Sequence, residues 1–326
     1  MFTDKDFLKP LADLSRFAYN NGQPEHDFSQ TAVETESLWE LDRAWHHWGI
    51  DDAFSFKAVG GKVRAGAQPA LRQALQLSEE AELCLLAFRG TMPKENWITD
   101  LNFGAVPMSP PCQSCQVHGG FLNALESFET ANSSQRSLTE SLDGAGCGEA
   151  TLALTGHSLG GAIAQLAAVS LAAQGRRVGA LVAFESPTVG NEAFKTQLES
   201  LFADGQQPIM VTNGLDPVPQ FYPSPRDFPH MDFPPLGTEV HYTGDEKIVC
   251  ARSQRESCPL QLLGPERSSS SCEICGIRGN NVISHWRPSD HCRLLGPDFP
   301  GYVFCGPRSV KDAQTLQDSM SRNSLV

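Results

Sequence analysis

The sequence predicts an α/β fold: a mostly parallel central sheet flanked by helices, with an antiparallel C-terminal hairpin. Three observations carry this. Short, nearly continuous apolar runs recur at 81–88 (AELCLLAF), 150–155 (ATLALT), 178–184 (VGALVAF) and 208–213 (PIMVTN), the pattern of strands covered on both faces. Segments of helical period separate them, and strands alternating with helices require crossovers and therefore parallel neighbours. Finally, 239–250 (EVHYTGDEKIVC) folds back around Thr243-Gly244-Asp245, a hairpin pattern.

Taken in chain order, residues 1–75 read as an N-terminal helical segment packed on the core. Both LADLSRFAY (11–19) and LWELDRAWHHWG (38–49) space their apolar residues as helices do. The main domain, 76–306, starts with the first buried strand. A helix is expected over 119–142, and a second over 160–174, stopped by Gly175. Residues 191–203 read as a third, with Asn191 as N-cap. A Cys-, Ser-, Gly- and Pro-rich stretch at 252–283 reads as a long loop or insertion, and 307–326 as a polar tail.

Composition excludes several function classes. With 40% hydrophobic and 19% charged residues the 326-residue chain is globular. A formal net charge of −13 argues against a nucleic-acid surface. No run approaches the ~20 apolar residues of a membrane span. The start MFTDKDFLKPLADL lacks the basic-then-apolar order of a secretory signal, which points to the cytoplasm; a processed form would be secreted. The ten cysteines point instead to oxidising surroundings. Cys84 and Cys147 read as small core residues. Cys250 and Cys258 could close a short loop, and Cys112/Cys115 and Cys272/Cys275 form two C-x-x-C pairs. A zinc reading of Cys272, Cys275, His285 and His291 fits poorly: the nine residues between Cys275 and His285 are fewer than the usual ~12–15.

Gly156-His157-Ser158-Leu159-Gly160 carries the chemistry. It matches G-x-S-x-G between a strand and a helix, the context of a nucleophile elbow. Two glycines permit the sharp bend, the serine hydroxyl is pushed out over the sheet edge, and the helix N-terminus faces developing negative charge with free N–H groups. Leu159 supplies one oxyanion N–H. A serine needs a base, and in this topology the partners follow as acid, then histidine. Asp216 lies just beyond the strand 208–213, on the same edge; an Asx turn before Pro217 is its simpler use. His230, His241, His285 and His291 remain as bases, His241 being the one inside the hairpin, where a structural bond is expected.

Six blocks between 81 and 246 (AFRGTMPKENWITDLNF, VHGGFLNAL, TGHSLGGAIAQLAA, FESPTVGNEAF, NGLDPVPQFYP and HYTGDE) resemble, in order and spacing, the fungal-type triacylglycerol lipases, the class 3 family of α/β hydrolases. The resemblance implies an α/β-hydrolase fold with Ser158, Asp216 and His291 as triad. The histidine falls in SDHCRLLG, where Leu294 replaces the family's usual aromatic, and His285 is the second candidate. It further implies Thr91 as the other oxyanion donor, and a lid over 92–103 whose Trp97 and Ile98 cover the serine in water and turn outward on lipid. His118 and His157 fall on structural neighbours of the site. The implied enzyme is a serine ester hydrolase, a triacylglycerol lipase first, with phospholipase A1, galactolipase and feruloyl-type esterase as alternatives. It takes a lipid ester at a transient lipid interface and needs no metal or organic cofactor. A lipase-like protein that binds partners without cleaving is the reading from another class, and three filled triad positions weigh against it.

Overall fold

The computed structural model describes residues 2–19, 33–45, 54–90, 104–131, 135–202, 206–214, 216, 218–220, 236–243, 246–250, 288–294, 298–299 and 302–304. Its centre is an eight-stranded sheet. The strands are β1 (Thr35–Trp45), β2 (Phe54–Val63), β3 (Leu83–Phe88), β6 (Thr151–His157), β7 (Arg177–Phe184), β8 (Ile209–Asn213), β9 (Thr238–Thr243) and β10 (Glu246–Cys250), lying in that order across the sheet. From β3 to β9 all neighbours are parallel; β1, β2 and β10 are antiparallel to theirs. The parallel core therefore extends into the C-terminal hairpin, whose first strand pairs with β8.

Period-two alternation along the strands feeds two apolar layers. On β3, Cys84, Leu86 and Phe88 join one layer with Leu152, Leu154, Ile163 and Phe128. Leu83, Leu85 and Ala87 join the other with Phe7, Leu11, Leu14, Phe184 and Tyr242. Helices α3 (Gly119–Glu129), α4 (Leu138–Gly144) and α5 (Leu159–Ala173) cover the first face; α1 (Lys5–Phe17) and α2 (Pro69–Ala74) cover the second. Covering both faces is what a parallel sheet requires. The remaining elements are the short pair β4 (Ala105–Pro107) and β5 (Gln116–His118), α6 (Glu192–Glu199), α7 (Pro288–His291), and the pair β11 (Arg293–Leu294) and β12 (Tyr302–Val303).

Three expectations are corrected. The stretch beginning at Leu38 is a strand, not a helix: β1 pairs in register with β2, Trp39 opposite Gly60. The indole lies over that glycine, and Lys57 on β2 reaches Glu40 on β1 at 2.7 Å. Cross-strand pairing of this kind overrides the local helical spacing. Second, 119–142 is two helices. α3 ends at Glu129, and α4 begins with a capping box in which the Ser137 side chain accepts from Glu140 N–H and Glu140 accepts from Ser137 N–H. Third, Cys84 and Cys147 are not free core residues; they form a disulfide across 63 positions. The Cys112–Cys115 pair is also a disulfide. Asn191 caps α6 as expected, its Oδ1 accepting from Phe194 N–H.

Candidate active site

β6 delivers the serine. After His157 the chain turns at once into α5, and Ser158 takes φ +58, ψ −130, a conformation costly for a residue with a Cβ. The bend is this tight because two glycines allow it. A Cβ on Gly156 would lie 2.2 Å from the Gly160 carbonyl oxygen, and one on Gly160 would lie 2.0 Å from the Phe88 carbonyl oxygen. Ser158 N–H donates to Phe184 O on the neighbouring strand at 2.8 Å, so the bend is bonded to the sheet. Its hydroxyl makes no capping bond and is left for other work.

That hydroxyl is 2.8 Å from His291 Nε2, and His291 Nδ1 is 2.8 Å from Asp216 Oδ2. A carboxylate only accepts, so Nδ1 carries the proton and Nε2 presents its lone pair to the serine O–H. Asp216 follows β8 and is held by its Oδ1, which accepts from Val218 N–H at 3.0 Å. Its Asx-type bond and its place beside His291 therefore coexist. His291 ends α7. Ser158, Asp216 and His291 are 1%, 4% and 6% exposed, so the relay is shielded from water.

A second layer holds the imidazole from behind. His157 Nε2 is 2.7 Å from the His291 carbonyl oxygen, and His157 Nδ1 is 2.7 Å from Tyr19 Oη. The carbonyl can only accept, so Nε2 bears the proton and Tyr19 donates to Nδ1. Burial, and after it the neighbouring His291, pushes His157 well below the ordinary histidine range, which keeps this neutral tautomer in place. The ring stacks on Phe304 at 4.4 Å. Asn213, the last residue of β8, donates from Nδ2 to the Asp290 carbonyl at 3.1 Å.

Leu159 is the first residue of α5, where an N–H has no partner within the helix. Gly90 lies against the Tyr19 hydroxyl, the His157 carbonyl oxygen and the Ser158 Cβ. Thr91, Trp97, Ile98, His230 and His285 lie outside the described residues, as do the sites of the Cys250/Cys258 and Cys272/Cys275 expectations that involve Cys258, Cys272 and Cys275. His241 makes the structural bond expected of it: its Nδ1 donates to Thr212 Oγ1 at 2.8 Å, and that hydroxyl donates to Glu239 at 2.9 Å. Burial lowers its pKa to about 4. His118 stacks on Phe121 at 4.0 Å. The sequence reading missed Tyr19, Asn213 and Glu185 as neighbours of the site. For Glu185 a signal existed, since a carboxyl just past the C-terminal end of β7 sits on the same edge as Asp216.

A parallel sheet with the serine bend after β6, the acid after β8 and a later histidine defines the α/β-hydrolase class. Within it, residues 85–225 match the family described as Lipase (class 3). It is 32% identical over 202 residues to the secreted mono- and diacylglycerol lipase 1 of Fusarium solani, covering 59% of this chain and 54% of that protein. It is 29% identical over 167 residues to phospholipase A1-II 6 of Oryza sativa subsp. japonica, covering 43% and 40%. The chain thus spans about half the length, or less, of these curated relatives. Lipase II from Rhizopus niveus superposes with a TM-score of 0.57 at 19% identity, over 94% of this chain and 98% of that one; this likeness is one of fold. Among the described residues, no helix is long and apolar enough to cross a membrane.

Proposed function

We propose that this chain is a serine carboxylic-ester hydrolase, a lipase acting on glycerolipid esters, with Ser158, His291 and Asp216 as its catalytic triad. The observation that carries the reading is the unbroken relay Ser158 Oγ–His291 Nε2, His291 Nδ1–Asp216 Oδ2, each link 2.8 Å. Ser158 Oγ attacks the ester carbonyl carbon while His291 Nε2 takes its proton. The carbonyl oxygen becomes an oxyanion, held by the Leu159 N–H and, from the family resemblance, by Thr91. His291 then passes the proton to the departing alcohol, leaving an acyl-serine. Water, deprotonated by His291, releases the carboxylic acid and restores the hydroxyl. Asp216 fixes the tautomer and stabilises the imidazolium. Trp97 and Ile98 are proposed as the lid residues that meet the lipid surface.

Acylglycerols are the first substrate class, in keeping with the Fusarium relative's name. The rice relative's name supports phospholipase A1 action as the second reading. A panel of acylglycerols and phospholipids of graded chain length separates the two. Ser158→Ala is expected to lower kcat on a soluble nitrophenyl ester by roughly 10⁴-fold or more and to abolish labelling by a fluorophosphonate probe. His291→Ala should match it and His285→Ala should not. Unchanged hydrolysis in Ser158→Ala overturns the assignment.

A further inference from the structure

Behind the relay lies a second carboxyl that the hydrolytic steps leave unused. Glu185 follows β7 directly, is fully buried, and takes φ +49. That left-handed backbone is unfavourable for a residue with a side chain. Its N–H donates to Val211 O on β8 at 2.8 Å, which ties the turn to the sheet. The side chain is thereby carried to the edge that bears Ser158 and Asp216. One oxygen of Glu185, one of Asp216 and a ring nitrogen of His291 all lie within 4.8 Å of one another.

Two carboxylates this close in a buried site each disfavour the charge on the other. The surroundings decide which is neutral. Asp216 accepts from two N–H donors, those of His291 and Val218. Neither Glu185 oxygen has a partner of good hydrogen-bond geometry among the described residues, and the one backbone N–H that acts on the carboxyl, that of Asn213, is the smallest of the influences on it. The titratable groups facing it are Asp216 after β8 and, from α7, Asp290 and His291. Two of these are acids, and the third is already bonded to Asp216. Burial raises the Glu185 carboxyl well above the usual carboxylate range, and Asp216 and Asp290 add to the rise. The same three side chains could be read as metal ligands, but His291 Nδ1 and Asp216 Oδ2 are bonded to each other, and a cation would have to break that bond.

We propose that Glu185 is a positioning residue: as a neutral carboxylic acid it donates its O–H to the Asp216 carboxylate and so fixes the group that orients His291. The inference rests on the triad reading above. It means that Glu185 and Asp216 together present a single negative charge to the imidazole at neutral pH. When Glu185 ionises, the O–H donor is lost and a second anion repels Asp216. Activity then falls on the alkaline side for a reason unrelated to the serine or the histidine.

The test compares Glu185→Gln, which stays neutral and keeps a donor, with Glu185→Gly, which suits the left-handed backbone but removes the group. On a soluble nitrophenyl ester at neutral pH, Glu185→Gln is expected to keep kcat within about threefold of wild type. Glu185→Gly is expected to lose about tenfold in kcat at unchanged KM, the size of effect a loosened catalytic group produces. The alkaline fall of wild type should be absent in Glu185→Gln. Infrared difference spectra, wild type minus Glu185→Gln, should show the carbonyl stretch of a protonated acid at neutral pH. Titrating that band in wild type alone serves if the variant does not fold. The inference is overturned by a missing band, by wild-type kcat in Glu185→Gly, by equal losses in both variants, or by a stoichiometric divalent metal in the purified protein. If Ser158→Ala retains activity, the triad reading itself fails. If Ser158→Ala is dead and the Glu185 results go the wrong way, only this inference fails.

Discussion

Ser158 and His291 reach the same point by opposite routes. Ser158 is built locally: β6, the bend and α5 are contiguous, and Gly156 and Gly160 make the bend possible. His291 is imported on a four-residue helix. It is held by contacts from elsewhere: His157 to its carbonyl, Asn213 to the Asp290 carbonyl, and Phe304 N–H to the Cys292 carbonyl, with Cys292 itself in a disulfide. Damage to the local device should therefore appear as lost folding. Damage to the imported one should appear as lost turnover in a folded protein.

The largest effect should come from Gly160→Val. Its first side-chain atom would meet the Phe88 carbonyl oxygen at 2.0 Å, a backbone atom that cannot move aside. Destabilisation above about 4 kcal/mol is expected, read as absence of a cooperative thermal transition. A normal melt in that variant would break the comparison. Next comes His157→Phe, which keeps an aromatic face for Phe304 but removes the partner that the Tyr19 O–H and the His291 carbonyl find in His157. It should lose about 2 kcal/mol of stability and up to about a hundredfold in kcat, with KM nearly unchanged. Asn213→Ala removes one more tether of the imported segment and should cost about tenfold in kcat, measured at equal Tm.

The smallest effect is on pH dependence, and its sign follows from the two lowered histidines. His241 has a folded value of about 4 against 6.5 unfolded, and His157 is also held well below 6.5. Between those values the unfolded chain binds protons that the folded chain refuses. Their contribution is therefore complete above about 6.5 and is lost as the solution is acidified toward about 4. Each group costs at most about 1.4 kcal/mol per pH unit in that window. Melting temperatures across that range should fall in wild type and fall less steeply in His241→Gln. A parallel slope would remove His241 from the account.

The sequence made the local half of this site legible and the imported half only partly so. The serine bend, its flanking strand and helix, and the position of Asp216 beyond a strand end all follow from short stretches. His291 was separated from His230 and His285 by family resemblance, because nothing local distinguishes a histidine that folding brings to the serine. Tyr19 and Asn213 act through atoms more than 70 positions away, so no spacing announces them. The strand at 35–45 was misread because its partner, Gly60 beneath Trp39, is set by pairing and not by local period. The second helix of the 119–142 stretch was written in plain view as Ser137-Leu138-Thr139-Glu140, a cap followed by its acid.

The unusual backbone at position 158 also limits which side chain can stand there. With φ at +58, a branch point at Cβ is disfavoured, so a threonine, though it carries the same hydroxyl, is a poor replacement. A thiol adds no branch and fits the same bend. The position is thus closed to one neighbouring amino acid and open to the other, a restriction imposed by main-chain shape before any chemistry begins.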